Sequence, residues 1–259
     1  MKIAVCGKGG CGKSTTSALL AREFAERGKK VLIVDSDESN FGLHKQLGVE
    51  LPRDFTEYFG GKNKVLKNML QNELMQKMNI KAFSHKFFDG AWHLSDIPEE
   101  YYAEKDGVML VSAGKINEPN EGCSCPMNTV VEHFIENLEL GKDEVAIMDM
   151  EAGVEHFGRG VDNSADVILM IVEPSFESLR LSKKVMDMAA EINKPVLFAL
   201  NKVTEASRET MLSHVADASK VAAVIPARDE VAVKGLMGEA LTERYPEISA
   251  LADKLEEVV

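Results

Sequence analysis

The residues with the clearest chemistry lie close to the start of the chain, in the run Gly7-Lys8-Gly9-Gly10-Cys11-Gly12-Lys13-Ser14. This run fits the pattern G-x-x-x-x-G-K-[ST], in which glycines allow backbone N–H groups to turn toward the β-phosphate of a nucleotide. Lys13 would reach the β- and γ-phosphates, and the hydroxyl of Ser14 would bind Mg²⁺. Residues 3–6 are apolar and favour a strand, while residues 14–24 favour a helix whose N-terminus would attract phosphate. The run therefore predicts a site for a nucleoside triphosphate, formed by Gly7, Lys8, Gly9, Gly10, Cys11, Gly12, Lys13, Ser14 and Thr15.

Two acidic residues follow predicted strands, at the ends that would face this loop. Asp37 comes after the candidate strand 30–34, and its carboxylate could orient a water or hold Mg²⁺ through one; a solvated acidic turn or a helix cap is the alternative. Asp149 follows the candidate strand 144–148, whose last residues, 146–148, are apolar, which is typical of a strand whose carboxylate holds a Mg²⁺-bound water. Asn201 ends a further strand, where its amide could read a purine edge, although asparagine also ends strands as a turn former. These residues complete a candidate site for a nucleotide and Mg²⁺.

Two of the four cysteines form the closely spaced pair Cys123-Ser124-Cys125. Two thiolates one residue apart cannot complete a tetrahedral or square-planar site, but two such pairs related by a two-fold axis supply four sulfurs. Pro126 suits the first position of a helix, and a helix N-terminus lowers the pKa of nearby thiols, which favours the thiolate that metals require. Four thiolates would accept Ni²⁺ in a square plane or Zn²⁺ in a tetrahedron. The pair therefore predicts a homodimer if it binds metal; buried or turn cysteines without a ligand role are the alternative.

Short apolar runs alternate with amphipathic stretches along the chain, which predicts an α/β fold. The candidate strands are 2–6, 30–34, 108–112, 144–148, 167–172, 196–200 and 221–225. The candidate helices are 13–27, 62–77, 127–140, 176–192, 206–216 and a last one from 246. Several strands are apolar at consecutive positions, as expected for a mostly parallel sheet of seven or eight strands with helices on both faces. We expect one domain over 1–259, in which residues 55–121 form the least regular, most insertion-like segment.

The composition argues against some classes of partner. Forty-two acidic residues against 30 basic ones give a formal net charge of −12, which disfavours nucleic acid or an anionic membrane surface as the main partner. No stretch approaches the ~18 to 20 apolar residues of a membrane span, and no apolar leader precedes the loop. We therefore expect a cytoplasmic protein, in which four cysteines indicate metal binding, redox chemistry or burial instead of disulfides.

Together these residues resemble the deviant-Walker P-loop ATPases, the group that includes MinD, ParA, the arsenical-pump ATPase and the nitrogenase iron protein. The mark of the group is a second lysine early in the loop, here Lys8. The resemblance implies Mg²⁺-dependent hydrolysis of ATP to ADP and phosphate, with Lys8 reaching the phosphates when two subunits close face to face. It also implies that Asp37 positions the attacking water, that Asp149 is the Walker B residue and that Asn201 contacts adenine. Further residues implied at the nucleotide are Lys202, Pro226 and Arg228. Some members of the group carry another Asp a few residues after the one that corresponds to Asp37, whereas position 41 of this chain is Phe.

Three stretches resemble more closely the CooC-type accessory ATPases, which help to insert nickel into carbon monoxide dehydrogenase. They are residues 114–116, residues 121–127 with both paired cysteines, and residues 149–160. In that group the Cys-x-Cys pair binds the metal between two subunits. The resemblance therefore implies a nucleotide- and metal-dependent homodimer, with Cys123 and Cys125 holding nickel, or zinc in preparations. It also implies carbon monoxide dehydrogenase as client, or the acetyl-CoA synthase complex in a close variant of this function.

Two other functions remain open at this point. One is spatial positioning, as in MinD and ParA; the membrane-bound versions need a basic amphipathic end, whereas residues 246–259 are amphipathic but acidic. The other is electron transfer, as in the nitrogenase iron protein, where the cluster cysteines lie far apart in sequence. The close pair of cysteines favours metal handling over both.

Overall fold

A single eight-stranded sheet lies at the centre of the computed structural model, which describes residues 1–38, 40–77, 90–115, 125–151 and 164–259, with the backbone alone at 71–77 and 125. The strands are β1 (Lys2–Gly7), β2 (Lys30–Asp35), β3 (Tyr102–Lys105), β4 (Val108–Ser112), β5 (Glu144–Asp149), β6 (Val167–Val172), β7 (Val196–Val203) and β8 (Val221–Pro226). Their order is β3-β4-β2-β5-β1-β6-β7-β8, and only the edge pair β3–β4 is antiparallel. The mostly parallel sheet confirms the predicted fold class.

Helices cover both faces of this sheet. They are α1 (Lys13–Glu26), α2 (Leu43–Leu47), α3 (Lys62–Lys77), α4 (Cys125–Asn137), α5 (Phe176–Glu191), α6 (Glu205–His214), α7 (Asp229–Met237) and α8 (Pro246–Val258). Since alternate side chains of a strand point to opposite faces, Ile3 of β1 lies in a core with Phe24 of α1, and Ala4 lies in a second core with Phe134 of α4. Ile3 and Ala4 are both fully buried, one on each face of the sheet, which explains why the central strands are apolar at consecutive positions. None of the helices in the described ranges combines the length and apolar character that a membrane crossing requires.

The register of the central strands brings their carboxyl ends to one edge of the sheet. Asp149, the last residue of β5, pairs with Val5 of β1 on one side and with Asp35 of β2 on the other. Gly7, the last residue of β1, pairs with Ile171 of β6. Ligands of open parallel sheets bind beyond these carboxyl ends, so the glycine-rich loop and the acidic residues meet where a ligand is expected.

The sequence pattern does not predict β3, α2 or α7. β3 is a four-residue edge strand whose side chains are half-buried or exposed, so it contains no apolar run. α2 has only five residues, which is too short for a helical period to be recognised, and α7 buries none of its side chains. β3 lies within the segment 55–121 and supplies the eighth strand of the sheet.

Candidate functional site

The glycine-rich loop joins β1 to α1 and adopts a backbone conformation that requires glycine. Gly7 has a φ of 146°, and a Cβ there would lie 2.6 Å from the carbonyl oxygen of Ile171 and 2.8 Å from Sγ of Cys11. Gly12 has a φ of 98°, and a Cβ there would collide with Nδ2 of Asn201. The loop therefore packs closely against β6 and β7, and side chains at these two positions would displace it.

The start of α1 suits an anion. Its N-cap residue is Gly12, so no side chain caps the first turn. The N–H groups of a helix's first turn have no partners within the helix and attract phosphate. Lys13, the first residue of the helix, is only 6% exposed, and Ser14 and Thr15 are half-buried beside it. The expected phosphate ligands are thus on one short segment.

Asp149 is fully buried next to α1. Its Oδ1 accepts a hydrogen bond of 3.2 Å from the hydroxyl of Ser17, whereas its Oδ2 has no hydrogen-bond partner among the described residues. Burial raises the pKa of Asp149 to about 6, although the hydroxyl groups of Ser14 and Ser17 and the ammonium group of Lys13 oppose the rise. A buried carboxylate oxygen without a partner, close to a serine hydroxyl, fits a hard cation such as Mg²⁺.

The segment that follows β2 lies against this carboxylate. The N–H and the hydroxyl of Ser36 donate hydrogen bonds of 3.1 and 2.9 Å to the backbone oxygen of Asp149. Asn40 donates a hydrogen bond of 2.6 Å from Nδ2 to the hydroxyl of Ser14. Asp37, the next residue after Ser36, is 9% exposed, and its charge adds to the rise in the pKa of Asp149. The structure therefore brings Asp37, Ser14 and Asp149 together.

A buried lysine to which sequence analysis gave no role joins this segment. Nζ of Lys115 donates hydrogen bonds to Oδ2 of Asp35 at 2.7 Å and to the backbone oxygen of Asp37 at 2.6 Å. Burial raises the pKa of Asp35 to about 7, and the ammonium group of Lys115 opposes the rise. The available sequence signal was the position of Lys115 shortly after an apolar strand, at the edge where ligands bind.

Lys8, a residue of the loop, forms ion pairs with two glutamates. Its Nζ is 3.3 Å from Oε1 of Glu173 and 3.4 Å from Oε2 of Glu177, and these two carboxylates raise its pKa. Nζ of Lys202 lies 3.4 Å from the other oxygen of Glu173 and also donates a hydrogen bond to the backbone oxygen of Gly10. Sequence analysis did not assign Glu173, which holds both lysines in this structure.

A cavity of about 320 Å³ opens beside the loop. It brings together the four residues predicted at the base, Asn201, Lys202, Pro226 and Arg228, and Gly12 and Thr15 lie on its loop side. Its apolar walls come from Leu19, Ile225, Val231, Ala232 and Ile248. A mostly apolar cavity with a few polar groups is typical of small-molecule sites.

Two polar groups of this cavity lack partners. Nη1 of Arg228 and the hydroxyl of Tyr245 have no hydrogen-bond partner among the described residues. The other terminal nitrogen of Arg228 contacts both carboxylate oxygens of Glu247 at 3.2 and 3.1 Å, and its guanidinium lies 4.3 Å from the centre of the Tyr245 ring. Asn201 donates a hydrogen bond of 2.8 Å from Nδ2 to the backbone oxygen of Cys11, which joins the cavity to the loop. The cavity therefore offers polar groups to a ligand that also contacts the loop.

The predicted metal site falls largely outside the described residues. Cys123 lies outside them, as does most of the stretch 149–160, and Cys125 is the first described residue of α4. Within the described ranges, no group of three or more His, Cys, Asp or Glu side chains could hold a metal ion. Cys6 and Cys11 are buried, and burial raises the pKa of Cys11 to about 11, which disfavours thiolate chemistry in the loop. The Cys-x-Cys site stays a prediction.

Comparison with known proteins agrees with this geometry. The chain is 45% identical to an uncharacterized ATP-binding protein of Methanocaldococcus jannaschii over 255 residues, which cover 98% of this chain and 99% of that protein. It is 30% identical to the carbon monoxide dehydrogenase accessory protein CooC of Rhodospirillum rubrum over 209 residues, which cover 78% of this chain and 74% of CooC. The septum site-determining protein MinD of Pyrococcus horikoshii, solved with Mg-ADP, has the same fold, with a TM-score of 0.68 at 18% identity over 99% of this chain and 96% of that one. Residues 2–241 match the family model, and the chain belongs to the CobQ/CobB/MinD/ParA family of nucleotide-binding domains.

Proposed function

We propose that this chain is an ATP-dependent accessory protein that binds nickel and assists its insertion into carbon monoxide dehydrogenase. The observation that carries this proposal is the 30% identity to CooC over 78% of the chain, in a sequence that also contains the pair Cys123-Ser124-Cys125. The nucleotide site and the cysteine pair supply the two halves of such a function.

The nucleotide half is supported by the continuity of the cavity and the loop. The base of ATP would enter the cavity between Asn201, Lys202, Pro226 and Arg228, and the phosphates would lie on the loop and Lys13. Arg228 and Tyr245 line this cavity, and Nη1 of Arg228 and the hydroxyl of Tyr245 have no hydrogen-bond partner among the described residues. One nucleotide would therefore contact both the cavity and the glycine-rich loop that precedes α1.

Hydrolysis of ATP to ADP and phosphate follows from the charged residues around the phosphates. Ser14 and Asp149 would hold Mg²⁺, which when bound neutralises phosphate charge. Asp37 would align the attacking water, and Lys13 would offset the negative charge on the transferred group. The buried positions of Lys13, Asp37 and Asp149 strengthen these electrostatic effects, because little water screens them.

The metal half requires a homodimer. Lys8 would leave Glu173 and Glu177 for the phosphates as two subunits close across their nucleotides. Leaving Glu177 would cost little, since the Glu177 side chain is 74% exposed and exposed ion pairs contribute little to stability. The Glu173 side chain is only 16% exposed, but Lys202 would remain beside it. Closure would bring two Cys123/Cys125 pairs into a four-sulfur site for nickel, the cargo handed to the client enzyme.

Spatial positioning is a second candidate, which the fold match to MinD favours. The last helix argues against binding to anionic membranes, because α8 carries four acidic residues and one lysine. Pelleting with anionic vesicles or with DNA tests this candidate directly.

The decisive experiment titrates anaerobic, metal-free protein with Ni²⁺ while the mass in solution is measured. The parent, the double variant Cys123→Ser/Cys125→Ser and the control Cys6→Ala are compared. We expect one nickel ion per dimer in the parent and in the control, and none in the double variant. Metal uptake unchanged in the double variant, or its absence from an active ATPase, would contradict the proposal and favour a positioning or regulatory switch. Activation of nickel-free carbon monoxide dehydrogenase, compared with nickel-free acetyl-CoA synthase, then identifies the client.

A further inference from the structure

A buried ion pair holds the residue that we expect to align the attacking water. Lys115 follows β4 and is 1% exposed, and Asp35 at the end of β2 is also 1% exposed. Nζ of Lys115 lies 2.7 Å from Oδ2 of Asp35 and donates a second hydrogen bond, of 2.6 Å, to the backbone oxygen of Asp37. One ammonium group thus joins the ends of two neighbouring strands to the segment after β2.

The other oxygen of Asp35 completes this arrangement. Oδ1 accepts a hydrogen bond of 3.2 Å from the N–H of Asp37. Both backbone polar groups of Asp37 therefore end on the same ion pair, the N–H on Asp35 and the carbonyl oxygen on Lys115. Because these bonds fix the peptide groups on either side of the Asp37 Cα, they set the direction in which its side chain leaves the backbone.

Lys115 is itself held by separate segments of the chain. Its N–H donates a hydrogen bond of 3.3 Å to Oδ2 of Asp54, and its carbonyl oxygen accepts one of 2.6 Å from Nζ of Lys62. The Phe41 ring centre lies 5.9 Å from its Nζ, within range of a cation–π contact. The ammonium group therefore has a defined position before any ligand binds.

A buried ion pair is a weak means of stabilisation. Taking two charges out of water offsets most of their mutual attraction, and well-packed apolar residues of similar volume are often as stable. A buried pair with defined hydrogen bonds can instead specify a position, and the position specified here is that of Asp37. The described hydrogen bonds of Lys115 go to Asp35, Asp37, Asp54 and Lys62 and to no loop residue, so nucleotide binding should survive its loss.

We propose that Lys115 is a positioning residue for ATP hydrolysis, which together with Asp35 holds Asp37 in the orientation that aligns water. This inference rests on the ATPase activity proposed above. Lys115 acts on the rate of the chemical step and not on the affinity for nucleotide.

The test compares the parent, Lys115→Met, the charge-neutral double variant Asp35→Asn/Lys115→Met, and the control Lys142→Met at an exposed lysine. The kcat and KM for ATP, the affinity and stoichiometry of Mg-ADP binding, and the unfolding midpoint are measured for each. We expect Lys115→Met to lower kcat about 100-fold, as a misplaced reacting group does, and to change the Kd for Mg-ADP by less than about threefold. It should also lower the unfolding midpoint, since it leaves the Asp35 carboxylate unpaired. The double variant should regain the midpoint but not kcat.

Parental kcat in Lys115→Met would overturn the inference. Recovery of kcat together with the midpoint in the double variant would overturn it too, because Lys115 would then only neutralise Asp35. If Lys115→Met binds Mg-ADP at reduced stoichiometry, part of that protein is misfolded. The kcat of the double variant, which should keep the parental midpoint, then tests the inference. A parent that does not hydrolyse ATP overturns the proposed function and this inference with it, whereas an active parent beside an equally active Lys115→Met overturns the inference alone.

Discussion

The side-chain amide of Asn40 donates a hydrogen bond of 2.6 Å to the hydroxyl of Ser14, the residue expected to bind Mg²⁺. Oδ1 of Asn40 accepts a hydrogen bond of 2.8 Å from the N–H of Gly42, which fixes the orientation of the amide. The amide therefore occupies an acceptor position of the oxygen that Mg²⁺ would need as a ligand. Asn40 and the metal should compete for Ser14.

Asn40→Ala should therefore bind Mg-ADP about two- to tenfold more tightly, the range that corresponds to one net hydrogen bond. The affinity for ADP without Mg²⁺ should not change, because the competition involves only the metal. Calorimetric titration with and without Mg²⁺ measures both. Gln46→Ala is the matched control, since Nε2 of Gln46 contacts the neighbouring hydroxyl of Thr15 at 3.2 Å. Weaker Mg-ADP binding by Asn40→Ala would show that the amide supports the metal site instead.

Asp37→Asn should bind ATP as the parent does but hydrolyse it about 100-fold or more slowly. Asparagine keeps the size of the side chain and the backbone hydrogen bonds to Asp35 and Lys115. It removes the negative charge that would orient the attacking water. Single-turnover hydrolysis and ATP binding separate the two effects, and normal turnover in this variant would exclude Asp37 from the mechanism.

The residues that could be predicted from sequence are those whose roles depend on local order. The loop from Gly7 to Thr15 and the strand that ends at Asp149 each combine a motif with its flanking elements in one short stretch. The ion pairs could not be predicted in this way. Lys115 and Asp35 are 80 positions apart, and Lys8 and Glu173 are 165 apart. The acidic residue with which each lysine pairs depends on the order of the strands in the sheet. The alternation of apolar runs along the sequence does not specify that order.

The same reasoning applies to the fold. The seven strands predicted from apolar runs are all present, because strands covered on both faces need consecutive apolar residues. β3 pairs with β4 at the edge of the sheet through its backbone, and its sequence Tyr-Ala-Glu-Lys has no such run. Backbone pairing at a half-exposed edge leaves little trace in hydrophobicity.

Gly7→Ala should lower the free energy of unfolding by about 3 kcal/mol or more, because its Cβ would meet backbone and the buried Cys11 side chain. Gly28→Ala is the matched control: Gly28 also has a positive φ, of 84°, but a Cβ there would have no atom within 4 Å. Its cost should be only the backbone strain, about 1 to 2 kcal/mol. Urea unfolding of both variants measures the difference, and equal costs would mean that the loop moves freely away from β6.

The free energy of unfolding of nucleotide-free Asp149→Asn, relative to that of the parent, should increase with pH. Burial raises the pKa of Asp149 from 3.8 to about 6, so its carboxylate is harder to ionise in the folded protein than in the unfolded chain. Its contribution to the free energy of unfolding therefore falls as pH rises between these two values and is constant above the higher one. Asparagine does not titrate, so the difference between variant and parent should rise by up to about 3 kcal/mol across this window, whatever the constant offset of the substitution. Urea unfolding from about pH 4 to 7 measures this difference.

The control for this prediction is Asp217→Asn. Asp217 is exposed, and hydrogen bonds from Ser219 lower its pKa, so this variant should show a small trend of the opposite sign. A pH-independent difference for Asp149→Asn would mean that the folded protein already provides this carboxylate with a partner, and that Mg²⁺ binding would not relieve a buried charge there.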